Sequence, residues 1–124
     1  MIYILLALFI GVPFTHKPEV DQAVRGATML KNRMRDPDSF TIERVFSLTD
    51  KHGDFVTCLE YHARNGFGGM DRNAAHYTEH KGKPHVDMNG STGYGWCAVT
   101  KYYPYVDITK EFNDALKTND TPTN

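Results

Sequence analysis

The residues best suited to chemistry in this 124-residue chain are its six histidines, its two cysteines and a run of charged side chains near the middle. His76, His80, His85 and Asp87 are the closely spaced set with metal-ligand side chains. Their secondary structure decides whether they could share an ion. A four-residue step places His76 and His80 about 6 Å apart on one face of a helix, but about 13 Å apart along a strand. The segment reads as strand and loop, and it has no HExxH form, so no metal site and no cofactor are expected.

Glu60 and His62 share one face of an alternating segment with Arg64, and Asp71 and Arg72 follow a glycine-rich turn. A proton-transferring cluster is geometrically possible there. Solvated cross-strand pairs are the commoner fate of such residues, and no Ser, Thr or Cys stands beside a base as a nucleophile. No catalytic residue is therefore assigned. A small hydrolase or metal-dependent enzyme built on Glu60, His62 and the 76–87 segment is the alternative reading.

The turn itself, Asn65-Gly66-Phe67-Gly68-Gly69, lacks the Lys-Ser/Thr ending of a phosphate-binding loop. It reads as a structural reversal in which Asn and Gly adopt left-handed angles and Phe67 plugs the edge of the core. Its functional reading is an anion-binding nest of backbone N–H groups aided by Arg64 and Arg72. Tyr94, Trp96, Tyr102, Tyr103 and Tyr105 add aromatic rings that could stack on a sugar, a base or a protein. The candidate binding residues are thus Arg64, Asn65, Arg72, Tyr94 and Trp96.

Charge and length narrow the partners. Fourteen basic residues against fifteen acidic ones give a formal charge of −1, which offers no general attraction to nucleic acid or anionic lipid. From Ile2 to Phe14 the chain is uncharged and almost wholly apolar, too short to span a bilayer comfortably, and reads as a signal peptide or short membrane anchor over residues 1–16. No basic residue precedes it and no clear Ala-x-Ala site follows it. Export to the periplasm or beyond would expose Cys58 and Cys97 to oxidising conditions, so a disulfide between them is expected, with two buried free thiols as the alternative. Membrane contact is expected through an uncleaved leader alone.

The elements that must position these groups follow from periodicity. Val20, Ala23, Val24, Ala27, Leu30 and Met34 recur at helical spacing behind Pro18, and Pro37 disfavours helix at the residue before it, so an amphipathic helix should end at Arg35 or Asp36. Phe40, Ile42, Phe46 and Leu48 read as one side of a strand, with Arg44 and Val45 out of pattern. After turn residues at 50–54, Phe55, Thr57, Leu59, Tyr61 and Ala63 alternate against Val56, Cys58, Glu60, His62 and Arg64. Met70 to Thr78 reads as a returning strand, or as a short helix. Glu79 to Thr92 reads as a mobile connection, Tyr94 to Tyr103 as a fourth strand, and Ile108 to Leu116 as a short terminal helix before a tail at 118–124.

DPDSF (Asp36 to Phe40) followed by CLEYHARNGFGGM (Cys58 to Met70) resembles a group of small exported bacterial proteins of unknown function that carry a DPDSF … C-x-E-Y-x-A-x-N-G-F-G-G segment. The resemblance implies export and an α+β domain. Combined with the periodicity, it gives one α+β domain at 17–117. An N-terminal amphipathic helix should pack on one face of a three- to four-stranded antiparallel sheet, with a short C-terminal helix. The expected role is a non-catalytic binding or structural protein of the envelope, with an envelope component or protein as partner.

Overall fold

The computed structural model describes residues 17–88 and 104–120. Pro18 opens helix α1 (Pro18–Lys31), with Glu19 and Asp21 in its first turn and Lys31 in its last, where each charge complements the helix dipole. Val20, Ala23, Ala27 and Leu30 form its buried stripe. The helix ends short of the expected Arg35: the N–H groups of Arg33 and Met34 bond to carbonyls three residues back, tightening the chain into turns. A single 3-10 turn, Pro37–Ser39, then leads into the sheet.

Among the described residues the sheet is antiparallel and has five strands in the order β4-β3-β2-β1-β5, not three or four: β1 (Thr41–Thr49), β2 (Phe55–Arg64), β3 (Met70–His80), β4 (Lys83–Asp87) and β5 (Tyr105–Asp107). Two differences from the sequence reading account for the count. His80 and Lys83 are joined by Lys81 and Gly82, with φ of 53° and 78°, so the segment read as a connection is a tight hairpin. Tyr105 to Asp107 also pairs with β1. The strand expected at Tyr94–Tyr103 lies outside the described residues.

A bulge in β1 corrects another expectation. Ile42 pairs with Tyr61 and Arg44 with Glu60, leaving Glu43 as an extra residue. Past it the alternation changes phase, so Ile42 and Val45 face the helices while Phe46 and Leu48 face away. Arg44 and Val45, out of pattern in the sequence, were the mark of that phase change.

The core has two parts. On one face, Val45, Leu59, Tyr61, Ala75, Tyr77 and Val86 pack against α1 and against Ile108, Phe112 and Ala115 of the terminal segment. Gln22 is buried among them, its Nε2 donating to the Phe55 carbonyl at 3.0 Å and Thr57 Oγ1 at 3.1 Å. Phe46, Leu48, Val56, Cys58 and Ala74 form a separate buried cluster made of strand residues alone, on the opposite face. Helix α2 (Thr109–Asp120) is capped by Asp107, whose Oδ1 accepts from the Thr109 N–H at 3.0 Å. Residues 118–120, read as tail, are helical.

Candidate functional site

Two features stand apart from packing: a polar strip on the face away from the helices, and the turn joining β2 to β3. The strip begins at the β1 bulge, which brings Glu43 alongside its neighbours on β2 and β3. Its Oε2 lies 2.6 Å from His62 Nδ1 and 3.1 Å from Arg72 Nε, while Arg44 Nε donates to Glu60 Oε1 at 2.8 Å. The hydrogen bond from His62, then the charge of Arg72, holds the Glu43 carboxyl below its ordinary range. Glu60 and His62, paired in the sequence reading, therefore serve different partners. Asp71 leaves the cluster altogether and accepts from Asn65 Nδ2 at 3.1 Å.

The histidine set expected in a loop lies on the β3–β4 hairpin, where His76 pairs with Asp87, Thr78 with His85 and His80 with Lys83. Burial pushes the His76 imidazole pKa down, against the opposing pull of Asp87. His80 is exposed and reaches Asp54 at 3.8 Å. No group of three ligand side chains among the described residues is arranged to hold a metal ion.

Cys58 is fully buried on the central strand, directly between Phe46 of β1 and His76 of β3. The expected disulfide is not formed here: Cys58 carries a free thiol, and Cys97 lies outside the described residues, as do Tyr94 and Trp96.

The β2–β3 turn is built around Asn65. Its Oδ1 accepts from the N–H groups of Phe67 at 2.8 Å and Gly69 at 3.1 Å, and its own N–H donates to the Gly69 carbonyl at 2.8 Å. Gly68 has φ of +89°, a region in which a side chain would be strained. The backbone N–H groups that would form an anion nest are thus satisfied by the turn's own asparagine. Arg64 is likewise engaged, through Nε to Asp36 Oδ2 at 3.1 Å and its N–H to Ser39 Oγ at 2.8 Å, which ties the base of the turn to the 3-10 segment.

At the apex, Phe67 is 99% exposed, and Met70, where β3 begins, is half exposed. This reverses the expectation that Phe67 plugs the core: five turn residues held by Asn65 carry it beyond the last paired residues, Arg64 and Met70. Arg64 and Arg72 lie on the strands flanking this turn and are engaged by Asp36 and Glu43, while Asn65 fixes the turn that carries the exposed ring. The glycines mark the reversal, but the local sequence does not say which way the ring points. Comparison with family models, with curated proteins and with solved structures returns no match.

Proposed function

We propose that this chain is an exported, non-catalytic binding domain of the cell envelope that contacts a protein or another envelope component through the Phe67 hairpin tip. The observation that carries this reading is the full exposure of Phe67 on a turn whose backbone is already fixed. A large apolar ring in water gains about 1.5–3 kcal/mol on burial, and a rigid turn spends little further entropy when it docks. That gain alone does not overcome the cost of association, so Met70 and the polar groups around the turn must share the contact.

Export rests on the apolar segment Ile2–Phe14 and on the resemblance to small exported proteins. A second reading, a small hydrolase using His62, draws on its 2.6 Å contact with Glu43, which would orient the imidazole as a base. The contact reading is favoured because Glu43 is shared with Arg72 and Glu60 is bound by Arg44.

The test is a photo-crosslinking residue placed at position 67 of the exported protein, with the same residue at Lys51 in the polar β1–β2 turn as control. A discrete adduct from position 67, absent from position 51 and competed by wild-type protein but not by Phe67→Ala, is the expected result. Equal labelling from both positions would refute the contact.

A further inference from the structure

We infer that the envelope component met by the Phe67 turn is the interface of a phospholipid membrane, which the ring enters end-on from the sheet. This rests on the contact reading above and names its partner. It concerns the turn itself and is separate from the apolar segment at 2–14. Among the described residues the sheet has two unlike ends. The β1–β2 turn carries Asp50, Lys51, His52 and Asp54, and the β3–β4 turn is Lys81-Gly82 between His80 and Lys83. These two turns share one end, where His80 Nδ1 reaches Asp54 Oδ2 at 3.8 Å. The β2–β3 turn projects from the other end, and from Asn65 to Met70 it contains no ionisable side chain.

A group entering a low-dielectric layer leaves its water behind, and bare charges or unmet backbone donors make that step costly. This turn has bound its donors before any contact. The N–H groups of Phe67 and Gly69 donate to Asn65 Oδ1 at 2.8 and 3.1 Å, and that of Gly68 donates to the Asn65 carbonyl at 3.2 Å. The headgroup region is itself polar, so carbonyls that the turn leaves open keep their water there. The flanking charges are set back on the strands and engaged: Arg64 by Asp36, Arg72 by Glu43, and Asp71 by the Asn65 amide. Arg35 lies alongside, its Nε 2.9 Å from the point that a Cβ on Gly66 would occupy. That exposed guanidinium stands where phospholipid phosphates would meet it.

The same residues favour a membrane over a protein pocket. A pocket is recognised by several side chains at once, packed to complementary shape. Gly66, Gly68 and Gly69 around the ring offer none. A fluid interface asks only for an apolar tip that carries no charge to the depth it reaches.

The test titrates Phe67→Trp with phosphatidylcholine vesicles up to millimolar lipid. The wild type supplies the background of Trp96, the chain's single native tryptophan, and Lys51→Trp is the control at the opposite end of the sheet. The expected result is a blue shift, with quenching by lipids brominated near the headgroup, from position 67 and not from position 51. In vesicle co-sedimentation, Phe67→Ala, with unchanged circular dichroism, should bind about tenfold or more weakly than wild type. No lipid-dependent shift at position 67, or an equal shift at position 51, overturns the inference. If position 67 then still crosslinks to a discrete protein, the contact reading stands with that protein as partner. If it labels neither lipid nor protein, both fail.

Discussion

Gly26→Ala should destabilise this domain, although alanine is the better helix former. Glycine in the interior of a helix costs about 1 kcal/mol relative to alanine, so propensity alone argues for a more stable variant. The packing against Tyr77 reverses the sign. A Cβ at position 26 would lie 2.6 Å from Tyr77 Cγ, 2.7 Å from Cδ2 and 2.9 Å from its Cβ, all well inside contact distance. The ring has nowhere to go. Tyr77 is 2% exposed, and its hydroxyl donates to Glu79 Oε2 at 2.6 Å, while Arg25 holds the same carboxylate through Nε at 2.6 Å and Nη2 at 2.8 Å.

Relief then requires α1 to lift from the sheet, which loosens Val20, Ala23, Ala27 and Leu30 together. Overpacking of this kind costs about 3 kcal/mol or more, leaving a net loss of about 2 kcal/mol after the propensity gain. Urea unfolding followed by circular dichroism would read it as a lower midpoint at unchanged slope. A variant equal to or more stable than the wild type would refute the close approach of helix and sheet. Gly82→Ala is the instructive comparison: nothing lies within 4 Å of its added Cβ, but its φ of +78° should cost about 1 kcal/mol through backbone strain alone.

Three further outcomes follow from the same contacts. The Tyr77 hydroxyl is pushed up to about 12 by burial and by its bond to Glu79, against about 10 in the unfolded chain. Its contribution is therefore intact below pH 10 and lost as pH rises from 10 to 12, by up to about 3 kcal/mol, and urea midpoints across that range should fall more steeply for wild type than for Tyr77→Phe, in which the raised Tyr61 hydroxyl still titrates. Gln22→Leu removes the side-chain donor for the Phe55 carbonyl and Thr57 Oγ1 and should cost about 1–3 kcal/mol by the same assay; an unchanged midpoint would mean that those acceptors are satisfied without it. Phe67→Ala should leave stability within about 0.5 kcal/mol of wild type, and a larger loss in thermal unfolding would show that the ring supports the fold.

Strand β2 was legible residue by residue because nothing interrupts it: Thr57, Leu59, Tyr61 and Ala63 face the helices, and Val56 and Cys58 face away, in strict alternation. Strand β1 was legible as a strand but not in its facing: one extra residue at Glu43 changes the phase, and Arg44 and Val45 mark the slip without saying which flank faces the helices. The β3–β4 hairpin was hidden for a different reason. Lys81 occupies a left-handed position usually given to Asn, Asp or Gly, so the local sequence did not announce a two-residue turn. The reversal between Arg64 and Met70 was legible, but the direction of the Phe67 ring was not. Glycines make a reversal legible; which way the intervening ring points depends on the Asn65 hydrogen bonds and the register of the paired strands, and these exist only in three dimensions.

The polar strip bears on function through how its charges are spent. A general base works by exchanging protons with a substrate, and a phosphate or carboxylate site works by leaving cationic donors open to it. Here Glu43 is held between His62 and Arg72, Glu60 is matched by Arg44, Glu79 by Arg25, and Asp36 by Arg64. These pairs are partly exposed, so each adds little to stability. Along the strip they set two acids, Glu43 and Glu60, beside three basic side chains, Arg44, His62 and Arg72. Among the described residues the large apolar side chains left exposed are Phe67, Met70, Tyr105 and Val106, with Phe67 the most open at 99%. The contact proposed above therefore rests on apolar burial at the Phe67 turn, which Asn65 holds in place, and not on charge.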